Sequence, residues 1–480
     1  MTLTKKIFQN TIVQISGKIF STILGLATVM IMTRHLGAER FGWYVTAVSF
    51  LQFIGILSDF GFTITTSNML AEPRFEKRSL INTIFTWRFI TALLFNGLAP
   101  LIILFFPYSR EIKLAVAIIS LAFFAIALNQ VFLGYYQTKL KTYVQTVGDL
   151  IGRTTLLILV WLFSRYGIGF LPIMGAVTLG ACGNTAYLWL KSNNIGFSLN
   201  KEISKALLKK IWPVALAVIF NAFYLYGDRV ILPLYAEQTT VGLYGAAYRI
   251  LDVVTQIAAL VMGLMLPLIT FSWSRQHQND FARRSEWAFE LVMVLLLPMI
   301  TGAIALSTPI MNFLGGEEFI PAAPILRLLI FAAFGISIGM IFGHINLAIG
   351  QQKRSLWIYI SDAVLSVIGY FIFIPRYGMY GAAYVTIFSE FYAGLMLLLL
   401  AHRYSNFVPR IFILFKIILA SAVMGLTIYL LPQFHLLISI MIGALIYTSL
   451  VLSLKIIPRK TIQEIFAKPT EPVAESTENW

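Results

Sequence analysis

A single cysteine, Cys182, stands in 480 residues, so no disulfide can close within the chain and no cysteine-built metal centre exists. Histidine is scarce too. The five are scattered, and His344, inside an apolar run, reads as a satisfied interior residue rather than a ligand. No loop of the form GxxxxGK[ST] occurs, which argues against direct ATP hydrolysis. Charge is thin, at 12% of the chain. The longest polar connection, Lys191 to Leu207, has about seventeen residues and is basic, leaving no room for an extramembrane catalytic domain.

What is abundant is apolar surface. With 58% hydrophobic residues and a mean hydropathy of +0.81, the chain carries more than one aqueous core can hide. The bilayer must be the solvent. Fourteen apolar runs are long enough to cross a hydrocarbon layer of about 30 Å, from 8–32 and 42–68 at one end to 410–431 and 435–455 at the other. The expected fold is therefore an all-α polytopic membrane protein. The first run holds Gln14 and Lys18 and ends at Thr33-Arg34 without a small-residue cleavage pattern, so it reads as a retained helix rather than a signal peptide.

The net charge of +15 is explained by where the charges lie. Of 36 Lys and Arg, 23 fall in the connections on one side and 7 on the other, with six inside helices. Basic connections stay cytoplasmic, which places both termini there. The excess is topological, with attraction to anionic membrane lipid, and is not a nucleic-acid footprint.

Gly42-Trp43-Tyr44 returns as Gly242-Leu243-Tyr244, and the match extends to Ala47 with Ala247 and Leu51 with Leu251. A second echo, Arg165-Tyr166-Gly167-Ile168 against Arg376-Tyr377-Gly378-Met379, keeps the order and nearly the offset. The chain reads as two related six-helix lobes, 1–200 and 201–405, with pseudo-two-fold symmetry. Two extra helices follow at 406–457, then a solvated tail at 458–480 with Glu464, Glu471, Glu475 and Glu478.

Arg34-His35-Leu36-Gly37-Ala38-Glu39-Arg40-Phe41-Gly42-Trp43-Tyr44 resembles the signature joining the first two helices of the polysaccharide (Wzx-like) flippases. These belong to the multidrug, oligosaccharidyl-lipid and polysaccharide exporter superfamily. Asp59-Phe60-Gly61 looks like the end of that family's second helix, and Gly227-Asp228-Arg229 with Gly242-Leu243-Tyr244 like its counterpart in the second half. In physical terms Gly37 and Gly42 permit a tight turn and a close helix approach. Arg34, Leu36, Gly37, Gly42, Tyr44, Asp59 and Gly61 are accordingly read as structural, with Trp43 and Tyr44 as membrane-interface anchors.

Ionisable groups at membrane depth are costly unless paired or facing water, so the site is sought among them. Six cations (Lys18, Arg88, Arg153, Arg229, Arg249, Lys416) oppose six anions (Asp59, Asp149, Asp228, Asp252, Asp362, Glu390). Spacing pairs Asp149 with Arg153 and Arg249 with Asp252. Lys18 and Arg88 have no local acid, although a long-range bridge to Asp59 is open. The sharper expectation is a cytoplasm-facing cavity in which Lys18, Arg88, Arg153 and Arg249 meet an anionic head group. Gln14, Asn68, Gln130, Tyr135, Tyr136, Asn221, Tyr224, Tyr226, Tyr248 and Gln256 are candidate sugar contacts.

The resemblance implies a clamshell that moves an undecaprenyl-diphosphate-linked oligosaccharide between leaflets of the inner membrane, beside a polysaccharide polymerase and chain-length machinery. It implies no enzyme activity and no resident cofactor, with Na+ or H+ as coupling ion at Asp228 and Asp362. The alternatives are a lipid II flippase, a cation-coupled drug exporter and a polytopic glycan polymerase. Lys18 on the first helix, where drug exporters carry an acid, favours an anionic substrate.

Overall fold

The computed structural model describes residues 3–71, 75–139, 141–192, 195–431 and 435–456. The tail expected at 458–480 lies outside them. The described chain folds as α1 (Leu3–Asp59), α2 (Phe62–Ala71), α3 (Lys77–Ile102), α4 (Arg110–Thr138), α5 (Thr142–Arg165), α6 (Phe170–Lys191) and α7 (Lys201–Tyr235). There follow α8 (Gln238–Ser274), α9 (Gln278–Ala305), α10 (Ser307–Gly315), α11 (Ala323–Ala348), α12 (Gln352–Ser405), α13 (Ile411–Leu430) and α14 (Leu436–Ser453). Short 3-10 turns cover Ile103–Phe105 and Glu317–Ala322, and no strand occurs among the described residues. The protein is all-α and polytopic.

At 57 residues α1 would extend about 86 Å if straight, almost three bilayer cores. It turns instead at Gly37, whose φ of 72° and ψ of 176° are open essentially to glycine alone. The 54-residue α12 doubles back in the same way at Gly378 (φ 55°, ψ −131°). Gly167 also has positive φ, 64°, so both copies of the Arg-Tyr-Gly echo use glycine to turn the chain. Among the described residues, eleven helices are long and apolar enough to cross a membrane. Since α1 and α12 each cross twice and the 35-residue α7 adds one passage, fourteen crossings result.

Two features depart from the apolar runs. The second passage, read as one helix over 42–68, breaks at Phe60 and Gly61, both at positive φ, and resumes as α2. Between α9 and α11 the chain forms α10 and a 3-10 turn, elements that the runs do not announce.

Small residues set the packing of the first lobe. Gly17, Ser21 and Gly25, four residues apart on α1, meet Thr146, Asp149 and Arg153 of α5. Gly152 and Gly180 bring α5 and α6 together, each leaving too little space for a Cβ against the other's carbonyl. At the far end of the chain α13 and α14 pack on α9, where the Tyr447 hydroxyl donates to the Val294 carbonyl at 2.7 Å. The segment 195–200 runs extended along α3, its Gly196 and Ser198 amides donating to Asn82 and Thr86 side chains at 3.0 Å.

The Gly42 echo has a spatial meaning. A Cβ on Gly42 would overlap the Gln238 carbonyl and come within 3.1 Å of the Gly242 nitrogen; one on Gly242 would overlap the Ala38 carbonyl and come within 3.0 Å of the Gly42 nitrogen. The two copies of the repeat touch each other. Around this contact the Gly37 turn is clasped by the second half: Thr33 donates to the Leu314 carbonyl at 2.7 Å and Arg34 to the Phe313 carbonyl at 2.8 Å. The Ala38 amide donates to Glu318 at 2.8 Å and Thr46 to Gln238 at 2.7 Å. Tyr44 is consequently not a lipid-facing anchor, while Trp43 stays half-buried. Trp43 packs edge-on against Phe170 with centroids 5.3 Å apart, and Tyr44 is buried.

Candidate functional site

Below the clasp two basins lie side by side. The first, about 710 Å³, is walled by α1, α4, α5, α6 and α8 and includes Lys18, Asp149, Arg153, Asn184, Arg249 and Asp252. Arg153 reaches Asp149 at 3.2 Å, one helical turn away, and Ser21 of α1 donates to the same carboxylate. Arg249 stands 3.9 Å from Asp252. Lys18 is exposed and has no carboxylate partner among the described residues. Three cations therefore share this wall with two acids. The amide oxygens of Asn129 and Asn184, both in the lining, are buried without a hydrogen-bond donor.

Arg88 is not part of this wall. It is 3% exposed and bridges to Asp59 at 3.1 Å, the long-range alternative that the sequence left open. Its Nη1 donates to the Ser58 carbonyl at 2.6 Å and its Nε to the Ala127 carbonyl at 3.1 Å. The cause is the break at Phe60 and Gly61. An interrupted helix in a bilayer strands carbonyls that no water can reach, and a guanidinium is the donor that satisfies them. The assignment of Arg88 to an anion-binding cavity is corrected to a stapling role.

The second basin, about 670 Å³, is lined by Tyr224, Tyr226, Arg229, Tyr248, His344, Tyr359 and Glu390, and shares Asp252, Thr255 and Met340 with the first. Sequence spacing singled out neither Arg229 nor Glu390 as site residues. Tyr226 precedes Arg229 by three residues, a helical-face signal; Tyr248, on α8, gives no such sign. Asn68 and Asn221, named among the polar candidates, have side chains outside the described set.

Behind this basin runs a buried polar seam between the arms of α12. Ser389 donates to Asp362 at 3.0 Å and Ser366 at 3.3 Å, while the Tyr370 and Thr386 hydroxyls lie 3.3 Å apart. Tyr224 donates to Glu390 at 2.5 Å. No cation pairs with Asp362 or Glu390 among the described residues. Asp228 sits elsewhere: it accepts from Tyr244 at 2.7 Å, and its neighbour Gly227 packs on Tyr370, roughly 12 Å along α12 from Asp362. Asp228 and Asp362, the two expected ion-coupling carboxylates, thus have different hydrogen-bond partners, and Glu390 follows Ser389, the donor to Asp362.

Residues 7–273, more than half of the chain, match the polysaccharide biosynthesis protein family. The chain belongs to that family. Among its relatives, the succinoglycan biosynthesis transport protein ExoT of Rhizobium meliloti (strain 1021) is 25% identical over 318 residues, 64% of this chain and 62% of that one. The probable low-salt glycan biosynthesis flippase Agl15 of Haloferax volcanii is 26% identical over 186 residues, 39% of each chain. The chain thus spans less than two thirds of these relatives' length. A putative O-antigen transporter of Shigella flexneri is 20% identical over 394 residues, 78% of this chain and 93% of that one. The fold is that of the multidrug, oligosaccharidyl-lipid and polysaccharide exporter superfamily. The lipid II flippase MurJ in an inward closed conformation superposes with a TM-score of 0.74 at 19% identity, over 95% of this chain and 100% of that one. An inward-facing multidrug transporter of the MATE family gives 0.66 at 16% identity, over 82% and 98%.

Proposed function

We propose that this chain is a flippase that carries an undecaprenyl-diphosphate-linked oligosaccharide across the inner membrane by alternating access, with both termini cytoplasmic. One observation carries the proposal: Lys18, Arg153 and Arg249 share a basin at membrane depth while the lobes are clasped at the Gly37 end. On the proposed topology the clasp is external, and the site faces the cytoplasm. A diphosphate entering the basin exchanges water for ammonium and guanidinium donors, while its polyprenyl tail stays in lipid. The relatives named for succinoglycan transport, glycan flipping and O-antigen transport support a glycan cargo over a drug. A polysaccharide polymerase and chain-length machinery on the far side are the partners such a product needs.

The chemistry of the α12 seam fits a coupling cation. A carboxylate and two hydroxyls, Asp362, Ser366 and Ser389, form an all-oxygen donor set suited to a hard monovalent ion or a proton. Buried charge without a counter-ion is costly, so these residues would hold a positive charge when the seam closes.

The test is transport of purified lipid-linked oligosaccharide into the outer leaflet of proteoliposomes. Lys18→Ala is expected to abolish transport with protein level and melting temperature unchanged. Transport by Lys18→Ala at the wild-type rate overturns the proposal.

A further inference from the structure

The second basin differs from the first in chemistry. Its wall holds four tyrosines, and two of them are fixed by a cation: the Arg229 guanidinium lies 4.6 Å from the Tyr226 ring and 4.2 Å from the Tyr248 ring. Its Nη2 donates to the Leu225 carbonyl at 3.1 Å, so the group is held at its faces and at one edge. Tyr224 and Tyr359 stand 6.1 Å apart at 36°, the former anchored on Glu390. Gly343 leaves room for the Tyr359 hydroxyl, which would lie 3.1 Å from any Cβ there. His344 donates from Nδ1 to the Met340 carbonyl at 2.7 Å, leaving Nε2 as an acceptor in the neutral ring.

Rigid aromatic planes beside a mixture of donors and acceptors suit a ring with apolar C–H faces and equatorial hydroxyls. Charge points the same way. The single cation here stands 3.8 Å from Asp228, and the lining adds Asp252 and Glu390, so this basin does not favour an anion, whereas the first basin has three cations against two acids. Because Asp252, Thr255 and Met340 line both, one molecule can occupy the two together.

We infer that the substrate is divided between the basins, its diphosphate against Lys18, Arg153 and Arg249 and its uncharged pyranose rings against Tyr226, Tyr248, Tyr224 and Tyr359. The inference rests on the proposed function and names the part of the site that reads the sugar. Head-group recognition in the first basin is then common to any polyprenyl-diphosphate substrate, and the second basin sets which glycan is accepted.

The experiment uses the full chain in lipid nanodiscs and two calorimetric probes: inorganic pyrophosphate, and the phosphate-free glycan released by mild acid from the lipid-linked intermediates of the expressing cells. Tyr359→Ala is expected to weaken binding of the released glycan about tenfold, the scale of one lost ring contact, with pyrophosphate binding unchanged. Lys18→Ala gives the reverse, and Tyr359→Phe, which keeps the ring, retains glycan binding. Tyr226→Ala serves as a second variant, with its melting temperature checked because it also holds Arg229. Wild-type glycan affinity in Tyr359→Ala, or no glycan binding by the wild type, overturns the divided site and leaves the transport proposal standing if Lys18→Ala still weakens pyrophosphate. Absence of pyrophosphate binding by the wild type overturns the transport proposal itself.

Discussion

Arg88 distinguishes a staple from a substrate ligand, and Arg88→Met is the perturbation that separates them. The side chain satisfies Ser58 and Ala127 carbonyls and neutralises Asp59 inside the bundle. Removing it takes the donor from the Ser58 carbonyl at the helix break, at about 1–3 kcal/mol, and takes the guanidinium charge from beside Asp59. Breaking one side of a buried ion pair costs about 3–5 kcal/mol in total, since these losses overlap. For a chain of this size the melting temperature should fall by roughly 5 °C. The assay is circular dichroism melting in detergent, with membrane level measured in parallel. Asp59→Asn on top of Arg88→Met should recover part of the loss, because the carboxylate charge that the guanidinium balanced is then gone too. A variant that melts like the wild type yet transports nothing would return Arg88 to the substrate site and refute the stapling role.

Three further outcomes are expected. Gly42→Val drives a side chain into the Gln238 carbonyl and should separate the lobes at the Gly37 end, seen as a longer inter-lobe spin-label distance; an unchanged distance contradicts the glycine contact. Glu318→Ala removes the acceptor from the Ala38 amide and should shift the open-to-closed ratio at the clasp about tenfold, read from the same spin labels, while Glu318→Gln, which keeps an acceptor, should shift it less. Asp362→Asn should lose any sodium-dependent thermal shift of the detergent-solubilised protein; a shift of wild-type size rules that carboxylate out as the ion ligand.

What the sequence made legible follows from how strongly the bilayer constrains it. A spanning helix needs an uninterrupted apolar run, so fourteen passages could be counted, and only glycine tolerates the backbone at Gly37 and Gly378, so the turns could be placed. The pairs Asp149–Arg153 and Arg249–Asp252 were legible because one helix carries both partners. Arg88 was misplaced for the converse reason. Its partners belong to other helices, and the break that creates its task lies at Phe60-Gly61-Phe62, with no proline to mark it. The α10 helix escaped notice because Ser307–Gly315, nine residues opening on Ser-Thr-Pro, is far too short to stand out as a membrane-length run. The sandwich on Arg229 needs Tyr248 from a second helix, a proximity that no local spacing encodes.

The contact of Gly42 with Gly242 licenses one further step, because it allows the two-hundred-residue offset to be carried along the neighbouring helices. Opposite Asp228 and Arg229 in the second half stand Thr28 and Val29 in the first, and opposite Arg249 and Asp252 stand Ser49 and Gln52. Lys18, in turn, corresponds to Val218. The backbone frame is thus repeated while the ionisable groups are not. A frame with matching glycines gives two bodies a common axis about which the clasp can open, and its four inter-half hydrogen bonds are of the kind that water can replace at little net cost. Charges placed in one copy only cannot serve that symmetry, and at membrane depth they are too costly to persist without a use. Their division gives the two halves separate tasks. Open cations beside the first basin meet an anion that arrives and leaves, whereas the sealed acids of the α12 seam suit a small cation taken up as the body moves.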